Sequence, residues 1–194
     1  MENNYLALLY DLIARPGRGL GRAREERPWI FLVAVVILSV ISIATGTTLF
    51  VSSFTGVRMV ALFSSLFLVT VLFTLFWIVN VGILHFFAEV WGKRGNIIDL
   101  FITLGLAMFP SIFVSPLSLL GEGLGGGRIF FQSFFTVVLL LWCFLLTLSA
   151  IKEVYSSATF EALLILLTPV VLFMVLSILL PLGCILLAML SLPL

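Results

Sequence analysis

Charge is scarce in this chain. Asp, Glu, Lys and Arg make up 10% of its 194 residues against 62% hydrophobic ones, whereas a soluble domain carries roughly a quarter of its residues as charges to cover its surface. An ordinary water-soluble fold is therefore excluded. Ten Lys or Arg stand against nine Asp or Glu, a net charge of +1. The bases are scattered between apolar runs, so no dense basic face exists for phosphates, and a nucleic-acid partner is excluded too.

Histidine and cysteine are scarcer still. His85 is the one histidine, and catalytic zinc sites usually draw three ligands from a recognisable spacing, so no metal site and no cofactor are expected. Cys143 and Cys184 both fall inside apolar runs, where they read as small buried hydrophobes rather than a disulfide or metal ligands. Residues Met1 to Asn4 are acidic or polar, and the first true hydrophobic run starts near Trp29 without a small-x-small cleavage site. No signal peptide is expected, and the first span is expected to remain.

What fills the chain instead is five long apolar stretches. A bilayer admits only helices or closed barrels, and runs far longer than a barrel strand leave helices. The expected fold is all-α: a polytopic membrane helix bundle of five transmembrane helices at about 29–50, 58–90, 97–120, 129–150 and 162–190, behind a leader at 1–28. In that leader, residues 5–14 read as an interfacial helix too short to span. Arg15, Arg18, Arg22, Arg24 and Arg27 read as a basic turn meeting lipid headgroups, at about 1 kcal/mol per base near an anionic leaflet.

Pro28 and Trp29 open the first span, a helix-start proline followed by an interfacial anchor. A Ser-Ser-Phe-Thr-Gly turn and Arg58 precede the second stretch, about 33 residues or roughly 50 Å. That overshoots a hydrocarbon core of about 30 Å without sufficing for two crossings, so the helix leaves the bilayer and carries His85 and Glu89 into headgroups or water. Asn96 is positioned to cap the third span, Asp99 suits its first turn, and Pro110 and Pro116 are expected to bend or break its distal half. Lys152, Glu153, Tyr155, Ser156, Ser157 and Glu161 form a polar turn before the fifth span.

Alternating loops place Arg15, Arg18, Arg22, Arg24, Arg27, Lys93, Arg94 and Lys152 on one side, and Arg58 and Arg128 on the other. The positive-inside rule then puts the N-terminus in the cytoplasm and, after five crossings, the C-terminus outside the cytoplasm, in a multi-pass protein of the cell (inner or plasma) membrane.

Three constellations invite chemistry. His85 and Glu89 share one helix face four residues apart, with Asp99 across the turn, a set able to bind a metal or act as acid and base; bracing of a helix end against Lys93 and Arg94 is the favoured reading. Gly121 to Gly126 matches a dinucleotide glycine string but joins two membrane spans rather than a strand and a helix, so it reads as a connector. Asn80 and intramembrane Ser and Thr residues, among them Ser39, Ser42 and Thr147, read as interhelical glue. No Asp, Glu, Lys or Arg falls in the middle third of a span, which disfavours a gradient-driven transporter.

The order of Arg15-Pro16, Pro28-Trp29, His85 at the end of the second span, the turn Trp91-Gly92-Lys93-Arg94-Gly95 and Pro110 in the third span resembles the Yip family of Ypt/Rab-interacting membrane proteins. There the family tends to show Gly-Gly-Lys-Gly and then Tyr-Ala-x-x-Pro. Trp142 and the turn from Lys152 to Ala162 also look like the family's fourth-span exit, and the short leader is similar to that of prokaryotic-type members. The resemblance implies five spans, a cytoplasmic N-terminus and, as for the eukaryotic members, membrane organisation through protein binding without catalysis.

The leading expectation is thus a non-enzymatic integral membrane protein with no catalytic residues. His85, Glu89, Gly92, Lys93, Arg94, Gly95, Asp99 and Pro110 are the binding candidates, and membrane lipids, other membrane proteins or a second copy of itself are the partners. The alternatives are a small-solute transporter or channel around the proline-bent third and fifth helices, and a metal-dependent membrane enzyme using His85, Glu89 and Asp99.

Overall fold

A computed structural model describes the backbone of residues 5–55 and 60–190, and the side chains of 5–49, 67–175 and 177. Every regular element among the described residues is helical. The bundle is polytopic: Trp29–Leu49, Phe67–Val90, Ile97–Glu122 and Gly125–Tyr155 are each long and apolar enough to cross a bilayer. A further helix, Thr159–Leu190, continues the apolar pattern.

The leader departs from expectation. Residues expected as a basic turn instead form a second helix, α2 (Pro16–Glu26), packed against α1 (Tyr5–Ala14). Pro16 costs nothing at the helix start because its missing N–H would have had no partner. Glycines at 17, 19 and 21 each disfavour a helix by about 1 kcal/mol, yet here two of them permit contact. A Cβ at Gly19 would lie 2.6 Å from the Leu12 nitrogen, and one at Gly21 would lie 2.9 Å from the Glu153 carboxylate. Leu8, Leu12, Leu20 and Ala23 are buried in the seam. Arg27 closes α2 in a left-handed conformation, its N–H donating to the Ala23 carbonyl.

Two further boundaries move, and at the second of them the buried Ile151, Val154 and Tyr155 carry the helix past a weak local stop signal. The first span, α3 (Trp29–Thr55), absorbs most of the turn expected after Phe50; Arg58 lies outside the described residues. The fourth, α7 (Arg128–Tyr155), absorbs Lys152, Glu153 and Tyr155, shrinking the polar turn to Ser156–Ala158 with Ser156 left-handed at the cap. Between them, α4 (Val60–Val90) is one unbroken helix.

The third stretch supplies the core. Its first part, α5 (Ile97–Ala107), is capped by Asn96, whose side chain accepts the Ile98 N–H at 2.9 Å. It is buried nearly all round, with Leu100, Ile102 and Leu106 sealed from the surface. The helix then breaks at Met108, passes through a 3₁₀ turn (Phe109–Phe113) holding Pro110, and resumes as α6 (Val114–Glu122).

A break at membrane depth strands carbonyls that no water can reach, so neighbouring helices must satisfy them. Ser39 donates to the Met108 carbonyl at 3.0 Å, and Ser42 donates to that of Ile112 at 2.8 Å while accepting the Ser115 N–H at 2.8 Å. Small residues let α3 come this close. A Cβ at Gly46 would sit 2.6 Å from the Val114 side chain, and one at Gly105 would run into that of Leu32. The last helix, α8 (Thr159–Leu190), packs on α4 and α7. Large apolar side chains such as Phe67, Phe76, Phe86, Phe130 and Phe173 project from the outer wall, the surface a lipid solvent covers.

Candidate functional site

Three of the polar side chains that the sequence singles out, Arg24, Arg27 and Asp99, gather at the N-terminus of α5. Asp99 occupies the first turn of that helix, where the backbone dipole favours a carboxylate, and is 6% exposed. Arg27 Nη2 donates to its Oδ1 at 2.9 Å and Arg24 Nε reaches its Oδ2 at 3.4 Å. Arg24 also donates through Nη1 to the Glu153 carbonyl at 2.9 Å, at the end of α7. A buried charge needs such company, because an unpaired carboxylate in a low-dielectric site is strongly destabilising.

Arg24 and Arg27 therefore hold protein carboxylate, where the sequence suggested lipid phosphate for all five leader arginines. Arg22 also has protein partners: Glu26 at 2.6 Å, whose hydrogen bond raises the guanidinium pKa, and Asp11 at 3.9 Å. Arg15 and Arg18 are exposed.

His85 is drawn in a different direction. Its Nδ1 lies 2.6 Å from the Tyr155 hydroxyl and its Nε2 lies 3.5 Å from Glu89 Oε1. Tyr155 is buried, and its ring lies so close to Gly95 that a Cβ there would approach two ring carbons to 2.6 Å. Gly95 thus makes room for Tyr155. Gly92 is required for another reason, a φ of +72°, where a side chain is strained.

Lys93 Nζ contacts Glu161 Oε2 at 2.7 Å, and the same carboxylate oxygen accepts the Ala158 N–H at 3.0 Å. Lys93 first, and the Ala158 bond second, hold the Glu161 carboxyl below its ordinary pKa. Lys152 donates to Thr159 at 2.8 Å, and Trp91 Nε1 donates to Thr168 at 3.2 Å, fastening the α4–α5 turn to α8. Arg94 is exposed.

The grouping of His85, Glu89 and Asp99 is therefore corrected. Asp99 turns to the leader, and among the described residues no three His, Cys, Asp or Glu side chains come together as a metal cage. The expected bracing of His85 and Glu89 by Lys93 and Arg94 is also redirected, since Lys93 takes Glu161 and His85 takes Tyr155. Pro110, in the 3₁₀ turn beyond the far end of α5 from Asp99, lies outside this cluster. Sequence reasoning did not select Tyr155, Glu153 or Glu161 as site residues. Their one signal was a polar run closing an apolar helix, which reads equally as a loop.

At the opposite end, Glu122 pairs with Arg128 at 3.1 Å, and Arg128 also donates to the Leu49 carbonyl at 3.0 Å. The glycine string there forms a short exposed 3₁₀ turn, Gly125–Gly127, joining α6 to α7.

The polar end is thus a lattice of ion pairs and hydrogen bonds tying four segments together: the leader, the α4–α5 turn, the end of α7 and the start of α8. No curated protein and no solved structure matches the chain. A Yip1 domain matches residues 10–180, an extent that takes in most of the docked leader, the capped and broken third stretch and most of α8, and the chain belongs to the Yip family.

Proposed function

We propose that this protein is a non-enzymatic organiser of membrane: a five-span, multi-pass protein of the cell membrane with a cytoplasmic N-terminus and an extracytoplasmic C-terminus. It recruits lipids and other membrane proteins, or further copies of itself, through the turn at Gly92–Gly95 and the apolar outer wall. One observation carries the reading. Most charged groups at the polar end are spent on one another, as in Arg27–Asp99 and Lys93–Glu161, which builds a rigid platform rather than a reactive centre. Arg15, Arg18 and Arg94 are exposed on that platform, where they would meet lipid phosphates or acidic partner residues.

The test is purification in lipid nanodiscs after mild crosslinking in the native membrane, with mass spectrometry of the proteins and lipids that accompany the chain. Arg94→Ala and Arg18→Ala together are expected to deplete specific partners or anionic lipids severalfold while the protein stays folded. An unchanged set of companions overturns the platform reading. Tags at both chain ends appearing on the same side of the membrane overturn the five-span topology.

A further inference from the structure

Between α3, α4, α5, α7 and α8 lies a half-open cavity of about 340 Å³, its wall mostly apolar but set with Trp77, Asn80, Ser111, Cys143 and Thr147. It falls within the roughly 300–1,000 Å³ range of small-molecule sites. Ser111 and Cys143 share a hydrogen bond at 3.4 Å; the other three polar groups, on Trp77, Asn80 and Thr147, are unusual for their lack of partners. The Trp77 indole N–H is buried without an acceptor, and the ring is held in place by Phe101, 4.3 Å away between centroids.

Asn80 makes no hydrogen bond among the described residues, although an amide in a membrane helix ordinarily finds one. Thr147 is the telling case. Thr45, Thr48, Thr74, Ser149 and Thr168 all donate to the carbonyl four residues back, the usual refuge of a hydroxyl in an apolar helix. Thr147 does not, and its side chain faces the cavity instead.

These groups specify an occupant. No acid or base lines the cavity, so the ligand is uncharged, because burying an unpaired ion there is prohibitive. Two unsatisfied N–H donors, on Trp77 and Asn80, call for an acceptor oxygen, and the Thr147 hydroxyl is able to donate or accept. The remaining wall, including Phe76 and Leu140, is hydrocarbon, and both of those residues are also exposed on the outer surface facing lipid.

We propose that the cavity binds the polar end of a neutral lipid, a single hydroxyl or carbonyl oxygen on a long hydrocarbon chain, which enters sideways from the bilayer between α4 and α7. This site is separate from the polar platform and does not depend on the partner reading above.

The test uses the full-length protein in phosphatidylcholine nanodiscs, with Trp29, Trp91 and Trp142 changed to Phe so that Trp77 alone fluoresces. Two brominated quenchers of equal length are compared, dibromostearyl alcohol and dibromooctadecane. The alcohol is expected to quench Trp77 saturably, at a mole fraction about tenfold lower than the hydrocarbon, the worth of one hydrogen bond kept in an apolar site. Thr147→Val and Asn80→Leu, tested separately with helicity and elution volume verified, are expected to bring the two quenchers within about twofold of each other.

Equal, unsaturable quenching by both probes means a greasy or water-filled void and overturns the proposal. So does an alcohol preference that survives both substitutions. If Asn80→Leu fails to fold, the near-isosteric Thr147→Val decides alone.

Discussion

Asp99 and Arg27 lie 72 residues apart in sequence and 2.9 Å apart in space. Their contact docks an N-terminal leader onto the innermost helix of the bundle. Arg24 adds a second grip on the same carboxylate and reaches the end of α7, so one buried acid organises three elements.

Asp99→Asn is expected to release the leader while the spans stay assembled. Breaking a fully buried pair costs about 3–5 kcal/mol; with Arg24 and Arg27 partly exposed, the cost here is about 1–3 kcal/mol after allowing for solvent screening. Limited trypsin digestion reads the release directly, because Arg18, Arg22 and Arg24 in the leader are cleavable, whereas Arg15 and Arg27 each precede a proline. Cleavage between Arg15 and Arg27 rises in the variant at an unchanged elution volume, and equal protection in both proteins defeats the docking argument.

The two glycines of the α4–α5 turn differ in kind. Gly95→Ala drives a methyl into the Tyr155 ring and is expected to cost about 1–3 kcal/mol as an overpacked contact. Gly92→Ala meets open space and costs only the left-handed backbone strain, about 1–2 kcal/mol. Tyr155→Ala is destabilising by itself because it removes a buried ring, so the reading is the coupling: with Ala at 155 the cost of Gly95→Ala is expected to shrink, whereas the cost of Gly92→Ala stays the same. Thermal unfolding of wild type, the three single variants and the two double variants in one detergent checks the pattern.

The Lys93–Glu161 pair gives a pH dependence whose sign follows from the lowered carboxyl pKa. A group more acidic folded than unfolded stabilises the folded state above its unfolded pKa, near the ordinary value of 4.5. That contribution is lost as pH falls through the lower, folded value. The wild type is therefore expected to lose melting temperature below about pH 4.5 more steeply than Glu161→Gln. Parallel curves would remove Glu161 from the acid response.

Some of this was legible in the residues alone. Asn96 as a cap, the interruption of the third stretch around Pro110 and the single long α4 all follow from local chemistry: a side-chain acceptor, a missing N–H and an unbroken apolar run. The α2 helix was not legible, because three glycines among arginines look like a turn until Leu12 and Glu153 are found in the spaces those glycines leave. Nor was the partner of His85. Glu89 is its neighbour by helical spacing, but Tyr155, 70 residues on, approaches more closely.

The amino-acid order decided the solvent and the class of structure, since a chain so short of charge with such long apolar runs is stable only as helices in a bilayer, where each backbone bond closes within its own segment. Partners were decided by the tertiary structure alone. Ten bases and nine acids allow many pairings of similar local merit, and only the packing of the helices selects Asp99 for the leader, Glu161 for Lys93, and leaves Asn80 and Thr147 turned toward a half-open cavity.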